Sequence, residues 1–314
     1  MRCNPATLQE LSKGLHHLKS VKAYGLLNTR FIHPGLYHDT SFLNQILDKL
    51  EYLVAHSHLT GIVFSDAYFL NALSGTKRDI LACLEAVPGI NCMIDSSQKA
   101  MAMFEIIEQS GFKFPGKIVL DRSLNRDIRQ LEKTGNDIRK KFPPIRIELL
   151  ANEGCIYHCP FKFVHDAQIS FSNTGSVANK TFQTNHAIGC HVYFFNTPEK
   201  FFKSPFIRPE DIDAYAAIAD TIKLCGRTLG INFLCRCICA YIQKSFEGNL
   251  LELMDATHWL SDHYHIKNKK LDPGFFNMVT NCTKACKECS ICRNLFLETA
   301  INKPFTLKPY KDFL

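Results

Sequence analysis

Short apolar runs that end in a polar turn and lead into a helical pattern recur along this chain, and that alternation restricts its fold more than any other feature. Val21–Leu27 closes at Asn28, Gly61–Phe64 at Ser65-Asp66 and Ile90–Ile94 at Asp95-Ser96. Lys117–Leu120 closes at Asp121-Arg122, Arg146–Leu150 at Asn152-Glu153, and Thr221–Leu224 at Gly226-Arg227. His191–Phe195 reads as a further strand. Ser41–Ala55 carries Leu43, Ile46, Leu47 and Leu50 at helical spacing, and Thr76–Glu85, Ser97–Gln109, Asn125–Leu131 and Pro209–Ala219 behave alike. Leu229–Phe246 is the longest and most apolar of these stretches. A strand–helix repeat of roughly 25–35 residues predicts an α/β fold with a parallel sheet. The number of units favours a TIM-like (β/α) barrel over a doubly wound open sheet.

In such a barrel the chemistry sits at the carboxyl ends of the strands. Asn28, Asp66, Asp95, Asp121, Arg122, Asn152, Glu153 and Arg227 all fall there. An Asp, Asn or Ser after a strand also caps the next helix, and Asp66, Asp95 and Ser96 read equally well that way. Asn152-Glu153 and Arg227 flank cysteines and read as site residues. Phe163–Phe195 is interrupted by Ser170, Ser172, Asn173, Thr174 and Ser176, and reads as a long loop over the rim. The turn Leu271-Asp272-Pro273-Gly274 precedes a small module. The expected organisation is a barrel over 1–265 and a cysteine-rich C-terminal extension over 266–314.

The 314 residues are 46% hydrophobic and 21% charged, which provides for a large core and excludes a disordered chain. The net charge of +7 is spread along the sequence. Runs such as Arg139-Lys140-Lys141 read as solvated faces, and no dense basic stripe with aromatics marks an RNA surface. An RNA or acidic small-molecule substrate is compatible with that charge. The start Met1-Arg2-Cys3-Asn4-Pro5 lacks the apolar core of a signal peptide. The apolar stretch Leu229–Ile242 is broken by Arg236 and reads as a buried helix, so no membrane span is expected. A cytoplasmic chain with reduced thiols follows.

Fourteen cysteines in a reduced chain call for an explanation, and metal ligation is the simplest. Cys155 and Cys159 lie just past a strand, and Cys190 follows after the presumed loop. Cys225, at the end of Thr221–Leu224, is the leading fourth ligand, although it also reads as a small buried hydrophobe. An open fourth position on the metal is the alternative. Cys282, Cys286, Cys289 and Cys292 form a second, compact set. Thiolates suit iron–sulfur clusters and zinc alike, with iron–sulfur preferred here. The first three of this set have the C-x3-C-x2-C spacing of radical SAM enzymes, but they follow the last strand and have a fourth cysteine beside them. Cys235, Cys237 and Cys239 read as helix packing residues, as do the isolated Cys3, Cys83 and Cys92. His158 and His165 flank the first set and are candidates for proton transfer or packing. Lys223 and Arg227 suit a carboxylate ligand. The sequence contains neither G-x-S-x-G nor H-E-x-x-H.

The segment Asp220-Thr221-Ile222-Lys223-Leu224-Cys225-Gly226-Arg227, followed by a helix ending Ala240-Tyr241, resembles the D-S-F-K-I-E-G-R segment of the collagenase-like U32 peptidase family. Asn152-Glu153-Gly154-Cys155 with Cys159, and Leu120-Asp121-Arg122-Ser123-Leu124-Asn125, resemble further parts of it. Cys225 stands where the family has Glu, and the C-terminal four-cysteine module lies outside the common core. The resemblance covers roughly Val21 to Phe246. It implies a barrel holding a 4Fe–4S cluster on four cysteines, here Cys155, Cys159, Cys190 and Cys225. It implies oxygen-independent hydroxylation of a small molecule or RNA, with prephenate as oxygen donor and a related iron–sulfur protein as partner. Peptidase activity is the family's historical label. Glu153, His165, Lys223 and Arg227 are the expected substrate-contacting residues. Cys282, Cys286, Cys289 and Cys292 would hold a second cluster or a zinc ion.

Overall fold

A computed structural model of the chain describes residues 6–18, 20–175 and 180–304. Cys3 and Ser176 lie outside the described residues. The chain forms two compact units. The first comprises residues up to Asp121, Glu132–Glu148 and Pro160–Thr184; the second comprises Arg122–Leu131, Leu149–Cys159 and the chain from Asn185 onward.

In the first unit α1 (Leu8–His16) starts in a capping box between Thr7 and Glu10. β1 (Ala23–Leu27) leads to α2 (Thr40–Ser57), which is capped by Asp39 and buries Leu43, Leu47, Leu50 and Leu53. β2 (Leu59–Phe64), α3 (Ala67–Ser74), β3 (Glu85–Pro88), α4 (Ser97–Gln109) and β4 (Lys117–Leu120) continue the alternation. α5 (Ile128–Lys141), β5 (Arg146–Leu150) and α6 (Lys162–Asn173) follow. β1, β2 and β3 are parallel neighbours, with Leu26 opposite Val63 and Val63 opposite Val87. Val63, Val87 and Val119 pack into one cluster with Tyr24 and Ile90 against it. These are the small branched residues expected where strands bury both faces. Asp66 caps α3 through the Phe69 N–H (3.2 Å), and Ser96 caps α4 through the Lys99 N–H (3.4 Å). The capping role expected of both is therefore present.

Three local expectations are corrected along this part of the chain and just beyond it. The third strand is Glu85–Pro88, and Ile90–Cys92 is a 3-10 turn. Glu85 made the segment look unlike a strand, but its carboxylate accepts from Tyr24 Oη (2.9 Å), Lys22 Nζ (3.3 Å) and the Gly116 N–H (3.2 Å). The helix expected at Thr76–Glu85 forms earlier, as α3, where Asp66 supplies a cap, and Asp79–Cys83 is only a 3-10 turn. The presumed loop Phe163–Phe195 contains α6, then α7 (Thr181–Ile188) and α8 (Cys190–Asn196).

In the second unit the end of β5 runs beside β6 (Thr221–Lys223), with the Ala151 N–H on the Lys223 carbonyl at 3.0 Å. The strand order β4–β5–β6 follows the chain, as β1–β2–β3 does. His191–Phe195, expected as a strand, is the helix α8: Phe194 is buried and the His191 ring stacks on Trp259 at 4.3 Å. α9 (Ile231–Gln243) buries Phe233, Cys237, Ala240 and Tyr241. Of its three cysteines only Cys237 packs; Cys235 and Cys239, four residues apart, share the exposed face. β7 (Tyr264–Ile266), α10 (Phe275–Thr280), α11 (Ile291–Thr299) and β8 (Ala300–Asn302) complete the unit, with β8 antiparallel to β7. Phe194, Phe201, Phe202, Phe206, Phe233 and Phe275 dominate its core. The molecule is thus a mixed α/β protein with parallel strands. No helix among the described residues is long and apolar enough to cross a membrane.

Candidate functional site

The second unit gathers its polar chemistry at the carboxyl ends of β5 and β6. Asn152, fully buried, accepts the Cys225 N–H at 2.8 Å and donates to the carbonyls of Cys225 and Leu253, each at 3.0 Å. Its own carbonyl accepts the Asp255 N–H (2.8 Å), and that of Glu153 accepts the Ala256 N–H (2.7 Å). The next residue, Gly154, has φ +74, and a Cβ there would stand 2.3 Å from Thr257 Oγ1. Gly226 has φ +115, and a Cβ there would stand 2.0 Å from Phe233 Cε1. Both turns therefore require glycine.

Around this frame Glu153 pairs with Arg122, whose Nε and Nη2 are buried without a hydrogen-bond partner. The Cys225 thiol donates to Asn152 Oδ1 at 3.3 Å, and the Asp255 carboxyl acts on it. Burial above all, with the Asp255 and Cys155 charges, pushes that thiol far above its ordinary value. Burial also raises the Asp255 carboxyl, against the opposing influence of the Cys225 thiol, Arg227 and His258. A thiol held so far from ionisation is a poor nucleophile, and the raised Asp255 carboxyl is the better group of the two for holding a proton. Arg227 is exposed, and Lys223 sits half-buried on β6.

The expected cysteine ligands are placed in pairs and in one set of four. Cys155 is an electrostatic neighbour of Cys225. Cys159 is a neighbour of Cys190, whose thiol is pushed up to about 11 by burial and then by Cys159. Cys282, Cys286, Cys289 and Cys292 surround a cavity of about 330 Å³. Burial, then Cys282 and Cys286, push Cys292 up to about 11. The backbone supports this set: Lys284 is in the left-handed region (φ 61) and its N–H approaches Cys282 Sγ at 3.3 Å. Tyr157, from the Cys155–Cys159 loop, lines the same cavity. Among the described residues no three His, Cys, Asp or Glu side chains are already arranged as for a metal ion. The donor chemistry nevertheless fits a thiophilic centre, since four soft ligands face one space of adequate size.

His165 lies half-buried on α6 in the first unit, and burial lowers its imidazole below the usual value. His158 is exposed and has φ 48. Asp255 and Thr257 were missed from the sequence. They lie about a hundred residues beyond Asn152, and nothing local distinguishes them from loop residues.

No family model matches the chain. An uncharacterized protease of Methanocaldococcus jannaschii is 28% identical over 257 residues, covering 81% of this chain and 69% of that protein. Among solved structures, that of a U32 peptidase is similar at 20% identity and a TM-score of 0.39. The similarity spans 56% of this chain and 64% of that one, less than two thirds of its length. By its motifs the chain resembles the U32 peptidase-like proteins, and the Methanocaldococcus jannaschii relative is described as a protease.

Proposed function

We propose that this chain is an iron–sulfur enzyme of the U32 peptidase-like kind, working in the cytoplasm on a small anionic molecule or RNA by oxygen-independent hydroxylation or a related redox change. The observation that carries the reading is the presence of Cys282, Cys286, Cys289 and Cys292 together in the lining of one cavity. Cys155, Cys159 and Cys190, with Cys225 as fourth candidate, would hold a second centre. Tyr157 belongs to the Cys155–Cys159 loop and lines the cavity of Cys282, Cys286, Cys289 and Cys292, which suits a relay between the two centres. A bound cluster would supply one-electron chemistry. The chain's own residues would do the rest. Lys223 and Arg227 would orient an anionic substrate, prephenate among the candidates. Asp255 and Cys225 would hold a proton, Glu153 would be fixed by Arg122, and His165 would be a further acid–base candidate. Strands that neighbour each other in chain order, β1–β2–β3 and β4–β5–β6, suit the wall of a TIM-like barrel.

A peptidase is the second reading, favoured by the description of the Methanocaldococcus jannaschii relative as a protease. The suppressed ionisation of Cys225 argues against that thiol as nucleophile. A non-catalytic electron carrier that works beside a related protein is the third.

Iron, sulfide and zinc counted in anaerobically purified protein, with EPR, test the proposal. About four irons with sulfide correspond to one cluster and about eight to two. Zinc without iron rejects the redox reading. Proteolysis that persists in metal-free protein establishes the peptidase instead.

A further inference from the structure

The four-thiol cavity has an unusual neighbour. Arg126 is 3% exposed and lines the cavity. Its Nε and Nη2 donate to a backbone carbonyl, that of Ser204, at 2.9 and 2.6 Å. Its guanidinium stacks over Phe206 at 4.9 Å and Phe275 at 5.8 Å. It forms no ion pair with a carboxylate among the described residues. Asp211 acts on it from a distance, but that carboxylate is in direct contact with Arg208 at 2.9 Å, as Glu210 is at 3.6 Å. A guanidinium stays charged at any ordinary pH. A buried charge with no directly contacting counter-ion is costly and is stabilised where an anion can approach it.

The surroundings point the same way. Cys292 and Tyr157 are the cavity-lining groups whose charges act on Arg126. Lys200 acts on Cys292. The ammonium of Lys284 bonds the Arg126 carbonyl at 2.9 Å, tying the cysteine hairpin to this arginine. Lys203, Lys287 and Arg293 also line the cavity, against two carboxylates, Glu199 and Glu288. Four thiolates around a divalent ion, or around a 4Fe–4S core of charge +2, leave a net charge of about −2.

We propose that Arg126, assisted by Lys200, is the built-in counter-charge of a dianionic thiolate-held centre at Cys282, Cys286, Cys289 and Cys292. This rests on the reading of those cysteines as metal ligands. It makes Arg126 a positioning and tuning residue, not a catalytic one. It also predicts a closed four-thiolate centre at this site, because a three-thiolate centre with an open position would need less compensation.

Anaerobic titration of zinc(II) into the reduced full-length protein, against a chromophoric chelator, tests this without iron or turnover. The tail site is the portion of binding lost in the Cys282→Ser/Cys292→Ser double variant. Arg126→Met is expected to weaken zinc at least about tenfold, and Arg126→Lys to restore most of that. Lys200→Glu is expected to weaken it several-fold, and it guards against misfolding of the arginine variant, since the Lys200 side chain makes no hydrogen bond or ion pair among the described residues. Where iron–sulfur protein is obtained, Arg126→Met should lower the reduction potential, a tenfold change in the redox equilibrium being about 59 mV. Folded Arg126→Met and Lys200→Glu proteins that hold zinc within about twofold of the wild type overturn the counter-charge. Zinc binding indifferent to Cys282→Ser/Cys292→Ser overturns the four-thiol reading itself, and the counter-charge with it.

Discussion

Asn152 holds the backbone of Cys225 from both sides, accepting its N–H at 2.8 Å and donating to its carbonyl at 3.0 Å. One side chain thereby joins the ends of β5 and β6 and places the Glu153–Cys155 turn beside Cys225. Asn152→Ala would remove the side-chain partners of the Cys225 N–H and carbonyl and one of two donors to the buried Leu253 carbonyl, with Cys237 Sγ remaining at 3.5 Å. A loss of about 2–4 kcal/mol is expected in urea unfolding of the metal-free protein.

Gly226→Ala would put a Cβ at φ +115 against the Phe233 ring, whereas the same change at Gly111 (φ +75) meets nothing within 4 Å. The Gly111 variant should lose only the backbone cost, about 1 kcal/mol, and the Gly226 variant at least about twice that. Thermal melts of the two proteins side by side check the difference.

The raised Asp255 carboxyl makes a prediction about pH. An aspartate whose folded pKa exceeds its unfolded value favours folding at low pH and loses that contribution as pH rises through the folded value. Asp255→Asn, neutral throughout, should therefore be more stable than the wild type near pH 7. The gap should close below the ordinary aspartate value of about 3.8, where both side chains are neutral. Unfolding curves across that range decide it, and a gap that widens on acidification would contradict the assignment.

Thiol chemistry should separate the cysteines by environment. Cys83, Cys235 and Cys239 are exposed, whereas the Cys225 thiol is hydrogen-bonded to Asn152 Oδ1 and resists ionisation. Brief treatment of metal-free protein with iodoacetamide at pH 8, read by peptide mass spectrometry, should label the exposed three at least about tenfold faster than Cys225.

Arg122→Met would strand the Glu153 carboxylate, whose side chain is 20% exposed, beside a buried frame. A loss of about 2–4 kcal/mol is expected, and Arg122→Met/Glu153→Gln should recover part of it, which a double-mutant cycle measures.

The strands were legible where apolar runs met a polar turn. β1, β2, β4, β5 and β6 lie where periodicity places them. β3 was not, because Glu85 becomes acceptable in a strand only through Tyr24 and Lys22, both distant in sequence. α8 was misread because His-Val-Tyr-Phe-Phe has the composition of a strand, and only packing such as His191 on Trp259 favours the helix. Within the site, Asn152 and Cys225 could be read from their place after strands. Asp255 could not, since its role comes from a loop that returns across the strand ends. The grouping of Cys282, Cys286, Cys289 and Cys292 could be read because their spacing is local, whereas the setting of Arg126 depends on Phe206, Phe275 and Ser204.

The antiparallel pairing of Ala300–Asn302 with Tyr264–Ile266 means that the cysteine hairpin is not a dangling tail. A single protease cut between Cys282 and Cys289 would leave the distal fragment clasped by a strand and by Leu295 in the core. The two pieces should co-elute on a sizing column and separate only in denaturant, so nicked material would pass for intact protein unless it is boiled first.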